Sequence, residues 1–349
     1  MAGTPYLSIV AASRNDNHGG DALKRMTMFV NGLIAQTNRH KLPAELIMVE
    51  WNPPEDKPLL HTALPRPREA DYLILRYVIV PKAIHQRFRL AREIPLYQMI
   101  AKNVGIRRAQ GEFILCTNID LLFSHDLFKI LAARNLRHDT YYRANRCDVP
   151  DNFSPAWNVD QQLEWCEKNV IRRLGRDRRF RNINPELVGL MGAPYPIKWI
   201  FDKAASALKL FWPEERSKYY QADCFACGDF TLMAKKAWFD IEGYLELDFH
   251  ALHIDTLGIL AAMALGYRQH VLPPNACTYH IEHAEGWTTM NPIEKLGFLK
   301  ERPSIDYGLV YELGEHFLKN RKTYNLNPDT WGFSDLTFEE HIFSTFEVE

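Results

Sequence analysis

The chain has 349 residues, of which 46% are hydrophobic and 24% charged, with a formal net charge of −1. That balance fits a globular protein with one large domain or two smaller ones, and it excludes a global field aimed at nucleic acid. The longest apolar runs, such as 257–265, are too short to span a bilayer. Residues 1–5 lack the basic-then-apolar pattern of an export signal, so a cytoplasmic protein with reduced cysteines is expected.

Residues 6–12 read as a short apolar strand that runs into the polar loop Ser13-Arg14-Asn15-Asp16-Asn17-His18-Gly19-Gly20. Apolar residues at helical spacing follow over 23–37. Segments 45–51 and 73–80 read as further strands, 97–109 as a helix and 113–117 as a fourth strand. Strand–helix alternation of this kind predicts an α/β domain with a largely parallel sheet. Beyond it, 126–136 reads as a helix and 140–144 as a strand. The charged stretch 151–220 reads as a mostly helical insertion. Segment 230–234 reads as a strand, 253–265 as a helix, 268–272 as a strand and 306–317 as a last helix. The aromatic tail from 325, with Trp331, Phe333, Phe338, Phe343 and Phe346, is expected to pack across the body or against a second copy.

The strand 113–117 delivers Asn118 and Asp120 to its C-terminal end, where open α/β sheets bind ligands. A carboxylate there suits a hard divalent cation that bridges to diphosphate oxygens. The duller reading is a strand-end turn, which Asn and Asp also favour. Arg143-Ala144-Asn145-Arg146 follows a strand and can reach a diphosphate or form a solvated basic edge. Cys224 and Cys227 have zinc-ligand spacing but no second pair. In the insertion, Lys168, Arg172, Arg173, Arg176, Arg178, Arg179 and Arg181 gather beside an apolar helical face built from Ile197 to Trp212. Such a patch either sits on an anionic membrane surface, at the inner face and near a lipid-linked acceptor, or packs on the body.

Four pieces taken in order carry a resemblance: Ser8-Ile9-Val10-Ala11-Ala12-Ser13-Arg14-Asn15, Ile47-Met48-Val49-Glu50-Trp51, the run from Ala101-Lys102-Asn103 to Gly111-Glu112, and Thr117-Asn118-Ile119-Asp120. Together they resemble the nucleotide-sugar-binding half of family 2 glycosyltransferases with the GT-A fold, over roughly residues 6–125. The resemblance implies a Rossmann-like, mixed but mainly parallel sheet flanked by helices, with a helical insertion and a C-terminal helical extension. It implies a donor site made by Ala12, Ser13, Arg14, Asn15, Asp16, Glu50, Lys102, Asn103, Asn118 and Asp120. Glu50 would read the base, and Asp120 would hold Mn²⁺ or Mg²⁺. Asn118 stands where the family's metal motif has its first carboxylate.

A second block, Ala226-Cys227-Gly228-Asp229-Phe230 through His253-Ile254-Asp255 to Tyr279-His280-Ile281-Glu282-His283, resembles the acceptor half of the same transferases and looks galactosyltransferase-like. It implies Asp255 as the base that takes the acceptor proton. It also implies Gly228, Asp229, His253 and Trp287 on the sugars, and His280 as a further metal ligand. His283 is expected only to hydrogen-bond or to pair with Glu282 or Glu285. The implied organisation is a donor half (1–125), a linker with the basic insertion (126–223), an acceptor half (224–290) and a C-terminal region (291–349). The implied activity is metal-dependent sugar transfer from a nucleotide-sugar donor to a glycan or lipid-linked acceptor, in surface-polysaccharide assembly. Three rivals compete with it. One is a nucleotidyltransferase. Another is a metal-dependent hydrolase built on His250, His253, Asp255, His280 and His283. The third is a non-catalytic nucleotide-binding module.

Overall fold

The computed structural model describes residues 4–64, 72–175, 222–283, 292–324 and 326–344. The elements in chain order are β1 (Leu7–Ser13), α1 (Ala22–His40), β2 (Ala44–Trp51), α2 (Leu60–Ala63), β3 (Leu73–Val80), α3 (Lys82–His85), α4 (Gln98–Arg108), β4 (Phe113–Thr117), β5 (Leu121–Phe123) and α5 (His125–Ala132). Next come β6 (Thr140–Arg143), β7 (Asn145–Val149), α6 (Val159–Lys168), β8 (Arg172–Leu174), β9 (Phe230–Ala234), α7 (Lys235–Asp240), α8 (Ile254–Ala264), β10 (Arg268–Val271) and β11 (Cys277–Ile281). Helices α9 (Pro292–Glu301) and α10 (Tyr307–Asn320) precede a last strand, β12 (Glu339–Phe343).

An eight-stranded sheet runs in the order β10-β6-β9-β4-β1-β2-β3-β12. Strands β4, β1, β2 and β3 are mutually parallel. Every residue of β1 and β2 is buried, which matches their near-continuous apolar runs, because a parallel strand is covered on both faces. Helix α4 lies against β1 and β2, and α1 packs near β3. The approach of α4 needs Gly105, since a Cβ there would sit 2.5 Å from Val10 Cγ1. The sheet is mixed: β9 runs antiparallel to both β4 and β6, and β12 antiparallel to β3.

A second sheet, in the order β5-β11-β7-β8, stands beside the first. The chain leaves the large sheet for the small one at three points. These are the turn 118–120 between β4 and β5, Ala144 between β6 and β7, and residues 272–276 between β10 and β11. The first transition places Asp120 between the two sheets.

One expectation changes. Within the stretch read as a mostly helical insertion, residues 172–174 form strand β8, and Arg172 is buried against Asp148 and Glu282. A cation with two carboxylate partners is stable inside, whereas a lone one would seek water. The other arginines of that run from 176 onward, and the apolar face 197–212, lie outside the described residues. The described part of the aromatic tail, residues 326–344, packs on the body of its own chain, one of the two arrangements expected of it. Trp331 is buried under the Arg107 guanidinium, 4.4 Å from its ring centroid, and β12 closes the edge of the large sheet. The C-terminal region is thus helical only in part.

Candidate metal and donor site

The site lies at the C-terminal ends of β1, β2 and β4, where parallel strands leave a crevice. Its geometry is set by backbone register. In the small sheet, His280 of β11 pairs antiparallel with Leu121 of β5 and parallel with Asp148 of β7. The Ile281 N–H also donates to the Asp120 carbonyl at 2.9 Å. A residue 160 positions along the chain is thereby held beside Asp120.

Asp120 Oδ2 lies 3.4 Å from His280 Nε2 and 3.2 Å from His283 Nε2. The three ligand-type atoms all lie within 4.8 Å of one another, and among the described residues they form the one such group. Asp120 Oδ1 is buried with no hydrogen-bond partner. Burial alone would raise the Asp120 carboxyl, but the two imidazoles outweigh it and hold the group well below the usual carboxylate range. Burial and Arg146 depress His280, yet Asp120 and Asp148 outweigh them and raise it. One carboxylate and two imidazoles suit Mn²⁺ and its later neighbours better than Mg²⁺, which prefers oxygen donors. The open valence on Asp120 and the donor set therefore fit a divalent transition ion.

Around this cluster runs a buried polar chain. Arg146 donates from Nε to Asp148 Oδ1 at 2.5 Å, from Nη1 to Asp229 Oδ2 at 2.9 Å, and lies 2.9 Å from His280 Nδ1. Asp229 Oδ1 accepts from Asn118 Nδ2 at 2.7 Å. Asn118 Oδ1 in turn accepts from Lys102 Nζ at 2.8 Å and Gln98 Nε2 at 2.9 Å. Lys102 is fully buried and also donates to the Gly228 carbonyl at 2.9 Å. Burial lowers its ammonium, while Asp229, Asp255 and Asp120 act against that.

The structure thus gives the residues of the implied donor site unequal parts. The amide of Asn118 is committed on both ends to protein groups. Asn103 is likewise committed, donating to Tyr244 O and Glu246 Oε1 and accepting from the Tyr244 N–H. Asn15 donates to Pro58 O at 2.8 Å, Ser13 Oγ donates to Met26 Sδ at 3.3 Å, and Arg14 pairs with Asp16 at 3.4 Å. Ala12, just before them, is buried. Arg14 Nε and Glu50 Oε1 are buried without hydrogen-bond partners. Glu50 Oε2 accepts from the Leu60 N–H at 2.8 Å. Burial pushes the Glu50 carboxyl up to about 7, against the lowering effects of that hydrogen bond and of Arg14.

On the side that the resemblance implies for the acceptor, Asp255 opens α8 and accepts from its neighbour's N–H, Thr256 N, at 2.9 Å. Its Oδ2 faces Gly228, where a Cβ would sit 3.0 Å away. His253, at the helix N-cap with φ 69°, makes no side-chain cap bond. Trp287 lies outside the described residues.

Arg143 is a correction to the sequence reading. It is buried and donates to Asp223 O, Phe225 O and Thr231 Oγ1, so it braces the 223–231 segment. His283 is another: it joins Asp120, while Glu282 pairs with Arg172. Its three-residue spacing from His280 was the available signal. Arg146, read with Arg143 as reaching a diphosphate or forming a solvated edge, is instead committed to Asp148, Asp229 and His280. Asp148 had no signal, since alternating charges on a short strand look like surface.

The fold and site together describe an α/β chain with a histidine–carboxylate group at its strand ends, in which His280 is buried and Asp120 and His283 are half-buried. No protein-family model matches the chain, and no curated protein does. Among solved structures it is similar to the catalytic domain of a Drosophila beta1,4-galactosyltransferase 7 in complex with xylobiose. The match has 9% sequence identity and a TM-score of 0.37, and it covers 86% of this chain and 81% of that one.

Proposed function

We propose that this protein is a metal-dependent glycosyltransferase that takes a nucleotide-sugar donor and a glycan or lipid-linked acceptor. The observation that carries the reading is the convergence of Asp120, His280 and His283 beside the open ends of β1, β2 and β4. These three residues would hold the cation, which when bound offsets charge on the leaving diphosphate. The Ser13-to-Asp16 loop and the open Oε1 of Glu50 recognise the nucleoside. Asp255 takes the proton from the acceptor hydroxyl as the sugar is transferred. Gly228 keeps space clear for that carboxylate. Lys102 and Arg146 hold Asn118 and Asp229 in place and balance the acidic charge. Among the described residues no helix is long and apolar enough to cross a membrane, and a lipid-linked acceptor would be met at the membrane surface.

The test is thermal stabilisation by UDP, GDP and CDP, each with Mn²⁺ or with EDTA. One nucleoside diphosphate should stabilise the protein by about 2.7 kcal/mol at one hundred times its Kd, only with metal. Asp120→Ala should abolish that shift. Turnover of the matching nucleotide sugar should then release nucleoside diphosphate. Release of inorganic diphosphate from a nucleoside triphosphate would instead establish a nucleotidyltransferase. No shift with any nucleotide would overturn the donor site.

A further inference from the structure

We propose that Asp148 is the positioning residue of this centre: it accepts the hydrogen bond of the His280 Nδ1–H and so turns the Nε2 lone pair toward the space shared with Asp120 and His283. This rests on the reading above that the cluster holds a divalent cation.

An imidazole can ligate through one nitrogen only when the other carries the proton, and the partner of that second nitrogen decides the tautomer. His280 has two candidate partners at Nδ1. Arg146 Nη2 lies at 2.9 Å and Asp148 Oδ1 at 3.3 Å. A guanidinium only donates. With Arg146 as partner, Nδ1 must accept, the proton sits on Nε2, and Nε2–H points at Asp120 Oδ2. That ring is closed to a cation. With Asp148 as partner, Nδ1–H donates to a carboxylate and the Nε2 lone pair faces Asp120. That ring is open to one. The choice between the two partners therefore gates the ligand.

Asp148 is built for this part. It is fully buried, and the parallel ladder of β7 and β11 places it directly beside His280. Its second oxygen is held by Arg172 Nε, and Arg172 is held in turn by Glu282. The carboxylate is thus bracketed by Arg146 and Arg172 and cannot turn away. Arg146 keeps its bonds to Asp148 and Asp229 when it releases Nδ1, so the open state gives up the Arg146–Nδ1 bond and the Nε2–H contact with Asp120, gains a charge-assisted bond from Nδ1–H to Asp148, and leaves Nε2 and Asp120 to the cation.

The experiment measures Mn²⁺ affinity by electron paramagnetic resonance in the full chain, in wild type, Asp148→Asn, His280→Ala and the double variant. Wild type should bind one Mn²⁺. Asp148→Asn should weaken binding about 10–100-fold, the range seen when a metal-bound histidine loses its carboxylate. Because Asp148 acts through His280, the double variant should bind no more weakly than His280→Ala alone. Additive losses, or unchanged affinity in Asp148→Asn, overturn the proposal. Absence of Mn²⁺ binding in wild type overturns the metal reading itself, and with it this inference. If Asp148→Asn fails to fold, ¹⁵N NMR of the histidine rings in Zn²⁺-loaded wild type decides. Its His280 signal, assigned by its loss in His280→Ala, should show protonated Nδ1 and metal-bound Nε2, and the reverse tautomer overturns the proposal.

Discussion

Two buried ionic networks lie at opposite ends of the same strands, and they differ in how completely they are closed. Near the N-terminal ends, Glu45 is fully buried and both of its oxygens are satisfied. Oε1 accepts from Ser8 Oγ, from the Gln110 N–H at 2.6 Å and from the Gly111 N–H at 3.3 Å. Oε2 accepts from Arg76 Nη1 at 2.6 Å, and Arg76 reaches on to Glu340 of β12 at 2.5 Å. The turn that brings these groups together tolerates only glycine, because a Cβ at Gly111 would sit 2.5 Å from Ser8 N. At the C-terminal ends, Asp120 and Glu50 each keep a buried oxygen without a partner, as does His283 at Nδ1. Buried polar groups are nearly always paired, so an open valence inside a protein points to a missing ligand or a strained site. The closed network holds strands together, and the open one has the valences that the proposed cation and nucleoside would fill.

The largest effect expected from testing that contrast is at Glu45. Glu45→Ala leaves Arg76 short of a partner in the interior and should cost about 3–5 kcal/mol in urea denaturation. The folded fraction should bind Mn²⁺ as wild type does. A matching loss of metal affinity would show that the two networks are coupled.

Glu50 is the intermediate case, with one oxygen satisfied and one open. Its carboxyl titrates at about 7 in the fold against an ordinary 4.5. The folded state therefore holds a proton that the unfolded state has released between those two values, and stability falls as pH rises through that window. Replacing it by the neutral Glu50→Gln should leave stability unchanged near pH 4. The variant should gain on wild type from pH 4.5 upward, reaching about 3 kcal/mol above pH 7. Equal stability of the two proteins at pH 8 would mean that the buried carboxylate is compensated.

A smaller effect is expected at Asn118, the position where the resemblance implies a lost metal carboxylate. Asn118→Asp would set two carboxylates face to face, because its Nδ2 now donates to Asp229. The cost should be about 2 kcal/mol, with no gain in Mn²⁺ affinity. A tighter metal site in Asn118→Asp would instead place that side chain among the ligands and open the network further than described.

Much of the large sheet was readable from the chain. Strands buried on both faces carry continuous apolar runs, so β2, β3 and β4 fall where 45–51, 73–80 and 113–117 read as strands. The position of Asp120 just past such a run was equally plain. The small sheet was not readable. Its strands span 121–123, 145–149, 172–174 and 277–281, and two of them carry charges such as Arg146, Asp148 and Arg172 that break any apolar alternation. Those charges satisfy one another only after distant segments pair, so no local pattern announces that they are buried.

The sequence by itself determined the α/β layout of the first third and the delivery of a carboxylate to a strand end, because both follow from local hydrophobic period and turn chemistry. Tertiary structure alone decided which histidines meet that carboxylate, that Asn118 and Asn103 are committed to protein groups, and that Asp148 stands behind His280. Each of those depends on β-ladder register between segments more than a hundred residues apart, or on the buried partner a side chain meets after folding.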